Sequence, residues 1–135
     1  MTIMQQIDGC LQRFREGDRD TAFFGLLELE HDVLPTLMTK FHTEHDSDIR
    51  AFLVEVIWQH RQPSVVPFLG KTLYDGEPEV WKQAMDGLVA LASPPALDAL
   101  QSARARPFPS QREAEEFLRW IDEAVEQVET EIQGI

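Results

Sequence analysis

Asp32-Val33-Leu34-Pro35-Thr36-Leu37 and Ser64-Val65-Val66-Pro67-Phe68-Leu69 are one pattern written twice. In each, a residue suited to capping stands three positions before a proline, and apolar residues follow at helical spacing. A proline inside a helix costs about 3 kcal/mol, whereas one in the first turn forfeits no hydrogen bond, so both stretches read as helix starts. The duplication extends outward. A shift of 32 sets Leu34 on Val66, Pro35 on Pro67, Leu37 on Leu69 and Phe41 on Leu73. A shift of 31 sets Ile49 on Val80, Leu53 on Ala84, Ile57 on Leu88, Pro63 on Pro94, Val66 on Leu97 and Leu69 on Leu100. Two amphipathic helices always align their stripes, but helicity alone does not require their prolines and turns to coincide. The unit is a helical hairpin of 31 or 32 residues.

The rest of the chain reads as helix too, and no alternating run bounded by turn signals calls for a strand. Residues 3–15 carry Ile3, Ile7, Cys10, Leu11 and Phe14 on one face and stop at Gly17. Asp18 or Asp20 caps a second helix through Phe23, Phe24 and Leu26. Further helices are expected over about 33–42, 48–60, 64–74, 78–92 and 95–105. After the break Arg106-Pro107-Phe108-Pro109, Ser110 and Glu113 have capping-box spacing for a last helix over 110–133, with a seam of Phe117, Ile121, Ala124, Val128 and Ile132. The expected organisation is one domain over 1–135: capping helices in 1–31, repeats in 32–105 and a capping helix in 110–133.

Composition narrows the partners. The 135 residues suffice for one core, and 43% hydrophobic with 27% charged content is that of a folded soluble protein. With 24 acidic against 12 basic side chains the net charge is −12, which argues against phosphate-based nucleic-acid binding and against docking on anionic lipid. A charged partner would be basic. The single cysteine, Cys10, excludes an internal disulfide, and Met1 to Phe14 holds Asp8 and no apolar run of signal-peptide length, so a reducing, cytoplasmic setting is expected.

The stretches Ser47-Asp48-Ile49-Arg50-Ala51-Phe52-Leu53, Gln62-Pro63-Ser64-Val65-Val66-Pro67-Phe68-Leu69 and Gly76-Glu77-Pro78-Glu79-Val80 resemble short bacterial HEAT-like repeats. Arg50 stands where that family commonly has arginine, Trp81 stands in the same place one repeat later, and His60 and Leu91 replace the usual glycine before the turn. The resemblance implies an all-α fold, a short right-handed α-α superhelix of about eight helices, with atypical ends covering the stack. It assigns no activity.

Few side chains suggest chemistry. His42-Thr43-Glu44-His45-Asp46 is the one cluster resembling a metal site, but no third ligand is fixed and the spacing is not that of His-Glu-x-x-His. The His-Glu pairs that the resemblance would imply for HEAT-like di-iron hydroxylases are absent: His31-Asp32 and His45-Asp46 are fourteen residues apart, not one period. Cys10 lies on an apolar stripe and reads as a small hydrophobe. No catalytic residue, metal ligand or cofactor is assigned.

Binding is the better expectation. Acidic triplets at Glu28, Glu30 and Asp32, at Glu44, Asp46 and Asp48, and at Asp75, Glu77 and Glu79 fall near helix starts, where the dipole favours carboxylates. Glu123, Glu126, Glu129 and Glu131 oppose the dipole of the last helix, so capping does not explain them. A ridge of Asp46, Asp48, Asp75, Glu77 and Glu79 with Trp81 as hot spot, together with Glu123 and Glu126, is the expected partner site. The function that fits first is a non-enzymatic bacterial immunity protein neutralising a basic cognate toxin such as a nuclease. An adaptor or effector chaperone binding a peptide on the concave face, with Phe68 and Tyr74 exposed, is the second; a HEAT-like metalloenzyme or lyase is the third.

Overall fold

The computed structural model describes residues 1–134. Among these, eight α-helices follow one another: α1 (Ile3–Arg15), α2 (Arg19–Leu27), α3 (Leu34–Thr43), α4 (Ser47–Gln59), α5 (Val66–Thr72), α6 (Pro78–Leu91), α7 (Pro94–Ser102) and α8 (Gln111–Ile132). Three single 3-10 turns, at His31–Val33, Pro63–Val65 and Ala103–Ala105, join them, and the described residues contain no strand. The chain is an all-α solenoid.

The duplicated proline pattern marks two equivalent helix starts, by a different device from side-chain capping. Asp32 and Ser64 make no cap hydrogen bond; each lies inside a 3-10 turn that runs directly into α3 or α5, with Pro35 and Pro67 in the first turn. A 3-10 lead-in satisfies backbone groups by i to i+3 bonds, so no side-chain oxygen is required. True side-chain caps occur elsewhere: Thr2 with Gln5 forms a full capping box, Asp18 accepts from Thr21 N–H, Asp46 from Asp48 and Ile49 N–H, and Ser93 from Ala96 N–H. Ser110 caps α8, but Glu113 accepts from the Ser110 hydroxyl rather than from its backbone N–H.

Left-handed backbone closes two successive units at equivalent positions. Arg61 has φ 56° and Ala92 has φ 33°, 31 residues apart, one residue beyond the places read as replacing the usual glycine. At the end of α1 the corresponding residue is Gly17, with φ 90°.

The helices form two rows. In the even row α4 and α6 pack closest, and Gly87 makes this possible: a Cβ there would lie 2.7 Å from Cβ and Cγ of Trp58 and 2.9 Å from Leu69 Cδ1. Trp58 Nε1–H donates to Gln83 Oε1 at 3.1 Å across the same joint. In the odd row a groove of about 610 Å³ opens between α5 and α7, and a second of about 520 Å³ lies between α3 and α5. The α4–α6 joint is thus closer than the α5–α7 joint that faces it across the core. The core between the rows is continuous from Ile7 and Leu11 through Leu53, Ile57, Leu69 and Leu88 to Phe117 and Val128.

Ion pairs fasten neighbouring units. Arg50 reaches from α4 over the Phe41 ring at 4.4 Å and binds Asp75, in the turn before α6, with two guanidinium nitrogens. Arg106, from the loop before α8, donates to the Leu73 carbonyl at 2.6 Å while covering Phe108 and Phe117; burial lowers its pKa. Lys40 pairs with Asp8, Arg15 with Glu44 and Arg19 with Glu55, tying α1 and α2 to the repeats.

Candidate protein-binding face

The exposed stripe of the even row is built by position within the repeat. Asp48 and Glu55 stand seven residues apart on α4, two turns along one face. Thirty-one residues later Glu79 and Asp86 take the same two positions on α6. On α8 Glu116 and Glu123 show the same seven-residue spacing. Asp48, Glu55 and Glu79 line one groove with Gln83 and Phe52, Asp86 and Glu123 line the next with Trp120 and Gln127, and Glu123, Glu126 and Glu131 line a third. One acidic surface therefore crosses three helices.

Two of these carboxylates are neutralised within the chain, Glu55 by Arg19 and Glu116 by Lys82, whose hydrogen bond holds the Glu116 carboxyl below its usual range. Asp48, Glu79, Asp86 and Glu123 form no ion pair among the described residues. Asp86 is pushed toward its protonated form, first by partial burial in the groove and then by the neighbouring Glu55 charge. Like charge is thus concentrated where a cation from outside would relieve it.

The residues expected at the partner site divide sharply. Asp48, Glu79, Glu123 and Glu126 are exposed along the even row. Asp46 is exposed but serves as the α4 cap, and Glu77 is exposed at the α6 cap position without a capping bond. Asp75 does not belong to a free ridge: its carboxylate is held by Arg50 and accepts the Glu77 N–H at 3.0 Å. Trp81 is not a surface hot spot. It is 3% exposed and packs edge-on against Phe117 at 4.9 Å and Trp120 at 6.0 Å, with the Lys82 ammonium near both indoles. Phe68, expected to be exposed, is 9% exposed in contact range of Phe41 and His42, whereas Tyr74 is 50% exposed beside the odd-row groove between α5 and α7.

Glu55 and Asp86 escape a reading by clusters because neither lies in an acidic triplet. The 31-residue shift that aligns Ile49 with Val80 also places Glu55 on Asp86 and Asp48 on Glu79, and that signal could have found them.

His42 and His45 are both exposed at the end of α3, and among the described residues no group of three or more His, Cys, Asp or Glu side chains could hold a metal ion. Cys10 packs against the core, its thiol pKa raised by burial. No helix of the described residues is long and apolar enough to cross a membrane.

A family model for HEAT repeats matches residues 34–119, from the start of α3 into the first half of α8. No curated protein and no solved structure matches the chain. The match spans well over half of the sequence and coincides with the stacked hairpins, leaving α1 and α2 outside it. The chain belongs to the HEAT repeat family, whose repeats generally bind protein partners.

Proposed function

We propose that the chain is a non-enzymatic binding protein that captures a basic protein on the even-numbered row, and that it acts as a bacterial immunity protein occluding a cognate toxin such as a nuclease. The observation that carries this reading is the repetition of unpaired carboxylates at equivalent positions, Asp48 with Glu79 and Asp86 beside Glu123. Helix capping explains Asp48 and Glu79 in part, since both lie in a first turn. It does not explain Asp86 or Glu123, which stand in mid-helix. Acidic surfaces accelerate capture of basic partners and dock against cationic active sites.

The test is association with a basic domain encoded next to this gene, followed by stopped flow against salt. Electrostatic capture requires the association rate to fall by tenfold or more between about 20 and 500 mM salt. An association rate independent of salt, or unchanged by the double charge reversal Asp86→Lys with Glu123→Lys, would remove the acidic row from the mechanism.

A second reading, an adaptor for an apolar peptide, is favoured by one observation. The α5–α7 groove is lined by Val66, Pro67, Gly70, Tyr74, Pro95 and Ala99, on the odd-numbered row rather than the acidic even-numbered one.

A further inference from the structure

Two imidazoles meet at the joint between the N-terminal helices and the repeats. His31, in the 3-10 turn after α2, and His60, at the end of α4, approach with their Nδ1 atoms 3.1 Å apart and their rings nearly perpendicular at 77°. His60 is 5% exposed, and its Nε2 lies 3.3 Å from the carbonyl oxygen of Leu26 in α2. A carbonyl only accepts, so Nε2 carries the proton and donates it. In the neutral His60 ring Nδ1 is then a lone pair, and the facing Nδ1 of His31 must be the donor. One network thus runs from His31 through His60 to the end of α2.

That chain of bonds tolerates one positive charge and not two. A protonated His31 still presents an N–H to His60, so the contact survives. A second proton places an N–H on His60 Nδ1 as well, setting donor against donor at 3.1 Å with two cations in contact. We propose that the His31–His60 pair is a proton-controlled clasp, closed while His60 is neutral and opened by its protonation, which frees the turn at His31–Val33 and the end of α2 from α4. This device is independent of what the acidic row binds.

The groups around the pair pull His60 in opposite directions, and burial decides the outcome. From α2 the facing group is the Leu26 carbonyl, from the turn after α4 it is Gln62, whose amide donates to the His60 carbonyl, and from the 3-10 turn it is His31. Glu28, Glu30, Asp32 and Arg61 are the charged residues of the flanking turns, and His31 is the titratable group in contact with His60. Burial is the largest influence and lowers the pKa of His60, the hydrogen bond to Leu26 partly offsets it, and the smaller effect of His31 lowers it further. A histidine favoured in its neutral form contributes stability that is fully present above its unfolded pKa of about 6.5 and is lost as the pH falls toward the folded value.

Amide hydrogen exchange of the full chain between pH 7.5 and 5, corrected for the intrinsic rate, reads the clasp directly. Exchange in residues 26–34 is expected to rise at least tenfold on acidification, while the centre of α6 stays protected. His60→Gln keeps a donor toward Leu26 without a titrating ring and should abolish that rise. His31→Asn removes the second charge and should reduce it. Imidazole nitrogen shifts should show His60 as the Nε2–H tautomer. A flat exchange profile in the wild type, the opposite tautomer, or the full rise retained in either variant would overturn the proposal.

Discussion

Arg50 Nη1 and Nη2 bind Asp75 Oδ1 and Oδ2 at 3.2 and 2.6 Å, so that one residue of α4 fixes the turn that launches α6. Both side chains are largely buried, and Asp75 also receives the Glu77 N–H. Removing one partner strands the other charge. Asp75→Ala is expected to cost about 1–3 kcal/mol in urea unfolding, and Arg50→Lys should recover only part of the wild-type value because an ammonium cannot make two parallel bonds.

Two glycines should respond to alanine with opposite signs. Gly87 lies at the α4–α6 crossing, where a Cβ would stand 2.7 Å from Trp58, so Gly87→Ala forces the closest joint of the stack apart and should lose about 1–3 kcal/mol. Gly9, inside α1, faces open space, with nothing within 4 Å of where a Cβ would stand, and Gly9→Ala should gain about 0.5–1 kcal/mol from helix propensity alone. Thermal unfolding of the two variants side by side checks the contrast.

Ala92 and Arg61 hold positive φ without being glycine. Left-handed backbone costs a residue with a Cβ roughly 1–2 kcal/mol, so Ala92→Gly should raise the melting temperature by about 4 °C. Arg61→Gly should gain less, because its guanidinium lies over the Trp58 ring at 5.7 Å.

Asp86→Asn separates stability from binding. Because the folded carboxyl titrates above its ordinary value, the folded chain holds that proton more tightly than the unfolded chain, and stability falls as pH rises through this range. At pH 7 the amide removes this penalty. The variant is expected to be more stable than wild type by urea titration yet slower to associate with a basic partner. A slower and less stable variant would contradict the assignment.

The helices are legible because eight prolines and one period constrain where helices can begin. Caps are less so, since a 3-10 lead-in leaves the same Asp or Ser in place with no bond to make. Trp81 shows the harder limit. Its repeat mate Arg50 reaches across the surface, but Trp81 meets Phe117 and Trp120 of α8, more than thirty residues away, and local spacing carries no record of what a distant helix offers. Among the site residues, Asp48, Glu79, Glu123 and Glu126 are reached through clustering and dipole arguments. Asp75 misleads because its ion pair spans 25 residues, and Glu55 and Asp86 require applying the period to polar positions as well as to apolar ones.

The three tryptophans sit at two different joints: Trp58 on α4 against Gln83, and Trp81 with Trp120 between α6 and α8. Trp58→Phe leaves emission from the second joint alone, and Trp81→Phe with Trp120→Phe leaves it from the first. Unfolding curves from the two variants superimpose only if the joints open together, so the chain's own fluorescence distinguishes all-or-none melting from melting that travels along the stack one hairpin at a time.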